Sequence, residues 1–216
     1  MSDPNSPRAA QPFRIVDAQF VTGQLAVGAD LDTDNPSHAQ AQLDELARTG
    51  ITHILDVRIE WNDELFVRVH APTIQYLHHG VDDAGQRIPG TWFERLTTWS
   101  LAALDEPGTK LYVHCHMGVN RGPSAAFAIL LAQGWEPIPA LNAIRGVRPT
   151  AFIAYAENAL AWHQRRNRLP KAMRREQRDA LVGWRRGYDL DLEAVIRAVR
   201  LREAAARGLT DVGEGD

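Results

Sequence analysis

"KLYVHCHMGVNRGPSAAFAILLA", residues 110–132, holds the decisive reading of this chain. Its opening, Lys110 to His114, is a short apolar run with β-branched and aromatic content, the pattern of a buried strand. Its close, Gly122 to Ala132, has the Ala/Leu content of a buried helix, stopped by Gly134. Between them stands Cys115, the only cysteine in 216 residues. In α/β folds a loop that leaves a strand and opens a helix is where ligands bind. Its successive backbone N–H groups can turn inward as an anion cradle. Gly118 stands where such a loop can take a positive φ. Arg121 can close the cradle with a bidentate fork on phosphate or sulfate oxygens. A lone cysteine after a strand is commonly a buried filler. Here the strand-to-helix turn, Gly118 and Arg121 favour a nucleophile instead. The N–H groups and the guanidinium predict a thiol pKa of about 3.5–7.5, against about 8.5 for a free thiol.

Outward from this segment, strands and helices alternate. "FRIV" and "LAVG" read as two short strands, and "NPSHAQAQLDELARTG" as a helix opened at Pro36 and Ser37 and closed by Gly50. "ITHILDV" and "TIQYLHH" are strands, "DDAGQRIPG" is a loop, and "TWFERLTTWSLAAL" is a helix. Further helices are expected over Ile138–Ile144, Phe152–Arg168, Lys171–Leu181 and Leu190–Arg207. The fold class is therefore α/β, a central mostly parallel sheet flanked by helices with a C-terminal helical extension. Residues 1–12 read as a disordered leader, 13–168 as the core and 169–216 as the basic extension.

Charge is unevenly spread. Of 24 basic and 27 acidic residues, 13 and 6 fall between Arg165 and Arg207, so that segment carries +7 and the remainder −10. Such a tail suits nucleic acid, a membrane surface or an acidic partner, or docking on the chain's own acidic body. The longest apolar run, Ser124 to Ala132, is too short to span a bilayer. The leader lacks the apolar core of a signal peptide, and one cysteine makes neither a disulfide nor a zinc cluster. A reducing cytoplasm is the expected setting. His78 and His79, adjacent on a strand, point to opposite faces and are poor co-ligands, so no metal is assigned.

"VHCHMGVNRGPSAAFAILL" resembles the signature loop of the cysteine-dependent protein tyrosine phosphatase superfamily, Cys-x5-Arg. The His-Cys-x-x-Gly-x-x-Arg pattern is most similar to the dual-specificity phosphatases. "ITHILDV" and "YLHHGVDDAGQRIPGTWFERLTTW" resemble the strand and acid-loop segments that precede that loop, so the likeness covers about residues 13 to 165. It implies hydrolysis of phosphomonoesters, phosphotyrosine and phosphoserine/threonine among them, through a cysteinyl-phosphate and without a cofactor. It implies Cys115 as nucleophile and Arg121 with the backbone of His116, Met117, Gly118, Val119 and Asn120 as phosphate binders. His114 is then the supporting residue before the nucleophile. The family's general acid falls on Asp83 by its offset from Tyr76 and Cys115, with its neighbour Asp82 the other choice. Phosphorylated protein is the implied substrate.

One departure stands out. The family places Ser or Thr after the arginine, where its hydroxyl helps the thiolate leave; here that position is Gly122, and the nearest hydroxyl is Ser124. Slow breakdown of the intermediate, or a catalytically weak phospho-binding module, follows as an alternative. An RNA 5′-triphosphatase is another, suggested by the basic tail and opposed by Asp83. Arsenate reductases need further thiols for their relay, and rhodanese-like loops are one residue shorter.

Overall fold

The computed structural model describes residues 13–187 and 190–206. The expected leader, residues 1–12, and the end of the extension, 207–216, lie outside them. Five strands form one sheet in the order β1-β2-β5-β3-β4. They are β1 (Ala18–Phe20), β2 (Leu25–Gly28), β3 (His53–Asp56), β4 (Gln75–His78) and β5 (Leu111–His114). Only β1 runs antiparallel to its neighbour; β2, β5, β3 and β4 are parallel.

Both faces are covered. α1 (Pro36–Arg48) and α2 (Glu64–His70) lie on one, and α3 (Gly90–Leu104), α4 (Arg121–Ala132), α5 (Pro137–Val147) and α6 (Ala156–Arg166) on the other. The period-two rule for strands is visible in β5: Leu111 and Val113 join the core under α4, while Tyr112 joins the core under α1. α4 is buried along nearly its whole length, which is why its sequence is apolar without an amphipathic stripe. β5 and α4 are the central elements of the molecule, and the loop joining them sits where strand carboxyl ends meet a helix N-terminus.

α7 (Lys171–Arg186) docks on this body through buried Leu181 and through Trp184, whose Nε1–H donates to Asn142 Oδ1 at 2.8 Å beneath the Arg145 guanidinium. Arg185 donates to the carbonyls of Ile153 and Ala154, so part of the basic segment is spent on the chain's own core. α8 (Leu192–Ala206) follows, with Val199 buried.

Three expectations need correction. "FRIV" is not a strand: the N–H groups of Arg14, Ile15 and Val16 donate to the Glu45 carboxylate on α1, which satisfies them without a ladder. α2 was missed, being seven residues with one buried position, Val67. α6 starts at Ala156 rather than Phe152, because Ile153 takes φ 54° and Phe152 and Ala154 bond to the loop between β5 and α4 instead.

Candidate active site

The Cys115–Arg121 loop is shaped by what happens to its carbonyls. His116 O accepts from Asp30 N at 3.1 Å, and Val119 O from Phe152 N at 2.7 Å. Buried Arg148 takes the two between them, donating through Nη2 to Met117 O at 2.9 Å and through Nε to Gly118 O at 2.6 Å. In a trans peptide the next residue's N–H points opposite its carbonyl. Four consecutive carbonyls bound outward therefore turn the N–H groups of Met117, Gly118, Val119 and Asn120 to the other side. Gly118 makes the turn at φ 63°, and a Cβ there would lie 2.5 Å from both Arg148 Nη2 and the Gly28 carbonyl carbon. No other residue fits.

Arg121, on the first turn of α4, is buried. Glu60 accepts from its Nη1 at 2.7 Å and from its Nη2 at 2.8 Å, and Val81 O accepts from Nη1 at 3.1 Å. A guanidinium has five N–H donors. Three are thus engaged, leaving Nε–H and one Nη2–H on the adjacent edge, a fork with the geometry to take two oxygens of an anion. In this structure Asp83 Oδ2 lies 3.4 Å from Nε. Asp83 Oδ1 accepts from Asn120 Nδ2 at 2.6 Å and from the Tyr155 hydroxyl at 3.0 Å. Asp82 behaves differently: its Oδ1 caps the Asp83 N–H at 2.8 Å. Of the two carboxylates, Asp83 is the one brought to the loop.

Cys115 is buried at 3% exposure. Burial pushes its thiol above the ordinary value; the N–H groups of Gly122 and Asn120 and the Arg121 charge pull it down, and the Asp83 carboxylate adds to the rise. Burial prevails, which corrects the expectation of a lowered thiol in the substrate-free protein. The fold supplies the cause: it buries the sulfur, and it sets the Asp83 carboxylate beside the Arg121 cation.

No protein-family model matches the sequence, and no curated protein matches it. Solved structures do. Human DUSP28 superposes with a TM-score of 0.57 at 19% identity, covering 70% of this chain and 95% of its own. DUSP15 gives 0.56 at 20%, covering 75% and 95%. PTPMT1 in complex with PI(5)P gives 0.56 at 16%, covering 69% and 96%. The fold is that of the dual-specificity-like cysteine phosphatases. At these identities the likeness concerns the fold.

Within this phosphatase fold, several site neighbours had escaped the sequence reading. Arg58 is fully buried and bonded to three carboxylates: Asp56, at 2.9 Å from Nε and 2.7 Å from Nη2, Asp63 at 2.6 Å and Asp30 at 2.8 Å. Asp30 in turn accepts from His116 Nδ1 at 2.9 Å, linking this network to the loop. His114, directly before Cys115, is buried against Tyr112 and shares the network's field. Burial raises Asp56, but the charges of His114 and Arg58 bring it net below the carboxylate range, whereas burial keeps Asp63 above it. The ligand atoms of Asp56, Asp63 and His114 lie within 4.8 Å of one another, yet Arg58 Nη2 bridges the two carboxylates and holds the charge a metal would supply. His78 and His79 donate to different backbone carbonyls, of Arg58 and Trp92. Ser124 is buried, and among the described residues its Oγ accepts from Tyr155 N at 3.3 Å. Glu60 and Arg58 lie in a segment whose composition reads as ordinary loop, and Tyr155 in one that reads as helix; Arg148, within "RGVRPT", bonds to Asp17 and the loop.

Proposed function

We propose that this chain is a cysteine-dependent phosphatase that hydrolyses phosphomonoesters, phosphotyrosine and phosphoserine/threonine of proteins among them, through a cysteinyl-phosphate. The observation that carries the reading is the convergence of Cys115, the two unengaged donors of Arg121 and the Asp83 carboxylate on one inward-facing N–H loop. Cys115 thiolate attacks phosphorus while Arg121 and the loop N–H groups bind the non-bridging oxygens. The P–O ester bond breaks and its oxygen takes a proton from Asp83. Water then attacks the cysteinyl-phosphate, giving its proton to Asp83; the S–P bond breaks, phosphate leaves and the thiolate is restored. His114 supports the nucleophile from the Asp56–Arg58–Asp63 network.

A bound phosphate dianion takes over the contact that Asp83 Oδ2 makes with Nε and brings its own counter-charge to the loop. Asp83 is then free to face the ester oxygen. The test is hydrolysis of 4-nitrophenyl phosphate in the presence of a chelator by wild type, Cys115→Ser and Asp83→Asn. Activity abolished in the first variant and reduced in the second, by less than on a substrate with a more basic leaving oxygen, supports the assignment. Activity that survives Cys115→Ser sinks it.

A weak phospho-binding module is the second reading, favoured by the raised thiol of Cys115 and the absence of a hydroxyl at Gly122. It predicts phosphopeptide binding by wild type without turnover.

A further inference from the structure

We infer that Tyr155 is a positioning residue that selects which oxygen of Asp83 carries the transferable proton. This rests on the phosphatase reading above. The argument is an account of donors and acceptors around one carboxylate.

Asp83 Oδ1 accepts two hydrogen bonds, from Asn120 Nδ2 at 2.6 Å and from the Tyr155 hydroxyl at 3.0 Å. An oxygen that already accepts two donors is the poorer place for a proton, because a protonated oxygen would lose one of them. The proton belongs on Oδ2, the oxygen on the Arg121 side of the carboxyl group. That is the side where an ester oxygen of a bound phosphate would lie.

The hydroxyl of Tyr155 is committed to this role. Its oxygen accepts the Gly85 N–H at 3.2 Å, so its one hydrogen is available to donate. The other acceptors in reach, Gln86 Oε1 at 3.4 Å and Asp82 O at 3.5 Å, are farther than Asp83 Oδ1. Burial, then the Asp83 charge, pushes the phenol up to about 12, so it remains a donor across the neutral range.

Its placement is rigid. Tyr155 is 2% exposed and packs in the core beneath α4. The backbone around it is tied to the loop at two points, Phe152 N to Val119 O at 2.7 Å and Ala154 N to Asn120 Oδ1 at 2.6 Å, and to the first turn of α4 at a third, Tyr155 N to Ser124 Oγ at 3.3 Å. Asn120 thus spends its carbonyl on residue 154 and its amide on Asp83. Residues 151–155 carry the register of the cradle to the acid loop, and the positive φ of Ile153 is the backbone cost of that route.

The chemistry separates a positioning role from a structural one. Help from a general acid matters most when the leaving oxygen is basic and little when it is a stable phenoxide. The experiment measures kcat/KM, which reports the step that releases the leaving group, for wild type, Tyr155→Phe, Asp83→Asn and the double variant with phenyl phosphate and with 4-nitrophenyl phosphate, with Cys115→Ser as blank. Tyr155→Phe is expected to lose about 10-fold on phenyl phosphate and less than about 3-fold on 4-nitrophenyl phosphate, a fraction of the full acid effect. In the Asp83→Asn background the same change should cost nothing further, since the oxygen it orients is no longer an acid. Equal losses on both substrates, or a further loss in the double variant, overturn the inference and leave the phosphatase reading standing. A wild type whose activity does not depend on Cys115 overturns both. Should Tyr155→Phe fold poorly, the comparison between substrates still decides, because reduced folded fraction lowers both rates by one factor.

Discussion

Glu60 grips the Arg121 guanidinium on both Nη atoms, at 2.7 and 2.8 Å, and leaves Nε toward Asp83. The pairing fixes the plane of the fork without filling its Nε edge. Glu60→Gln removes the charge and one acceptor while keeping the shape. A hydrogen bond to a charged group contributes about 1.5–3 kcal/mol, but the Glu60 side chain is 40% exposed, so solvent screening reduces this. The expected result is a rise in KM for 4-nitrophenyl phosphate of about 3- to 10-fold with a smaller change in kcat.

The same pair has a pH signature. Its hydrogen bond to Arg121, against the opposing pull of burial, holds Glu60 down to about 2. A carboxylate depressed in the folded state contributes stability above its unfolded value near 4.5 and loses it as pH falls toward about 2. Acid unfolding followed by circular dichroism should therefore show a shallower loss of stability between those values in Glu60→Gln than in wild type. Identical acid limbs would mean the pair is already open in solution.

The Cys115 thiol answers to the same charges. Burial raises the Cys115 thiol, Arg121 lowers it and Asp83 raises it further. Thiolate absorbance at about 240 nm, titrated in the substrate-free protein, is expected to develop above the free-thiol value of about 8.5. Asp83→Asn removes a raising charge and should move the midpoint down, and Arg121→Ala should move it up. Glu60→Gln should lower it, because the cation then acts on sulfur without its counter-charge. A wild-type midpoint below neutrality would refute the ordering of these effects.

The β5–loop–α4 unit is legible in the sequence because every constraint on it is local. A strand buried on both faces, a glycine at positive φ and a helix buried all round each leave a compositional trace within a few residues. What surrounds the loop is not local. Glu60 is 61 positions from Arg121, and Asp17 is 131 from Arg148; nothing in "RIEWN" announces a partner for a distant guanidinium. Phe152 to Tyr155 have the apolar content of a helix start, and tertiary bonds to Asn120, Val119 and Ser124 override that propensity. The thiol was misread for a related reason: the sequence shows Arg121 but neither the burial of the sulfur nor the Asp83 carboxylate that the fold brings beside it.

Arg58 offers a test of the network behind the nucleophile. It is fully buried among Asp30, Asp56 and Asp63, and those carboxylates, together with its own ion pairs, more than offset the burial that opposes its charge. Removing one partner of a buried ion network costs about 3–5 kcal/mol, because the opposite charges stay buried and unpaired. Arg58→Met is thus expected to lower the urea midpoint sharply with an unchanged m-value. Adding Asp56→Asn and Asp63→Asn should recover part of the loss, since neutral amides tolerate the same burial better. No recovery would indicate that packing, rather than charge, sets the cost.

Gly122 stands where related loops carry a hydroxyl, and the surrounding backbone accounts for it. A Cβ at this position would lie 3.2 Å from Cys115 N and 3.3 Å from the His114 carbonyl carbon, both main-chain atoms that cannot rotate away. Gly122→Ala gains up to about 1 kcal/mol from helix propensity, as Gly122 lies in the first turn of α4. Crowding in a packed core costs about 1–3 kcal/mol, so crowding wins. For a chain of this size, the net change corresponds to a Tm lowered by about 2–6 °C. Gly122→Ser carries the same crowding and adds a hydroxyl beside the sulfur. If the missing hydroxyl limits breakdown of the cysteinyl-phosphate, Gly122→Ser should turn over faster per folded molecule than Gly122→Ala, with a smaller burst of 4-nitrophenol. Equal rates and equal bursts in the two variants would assign Gly122 to packing alone.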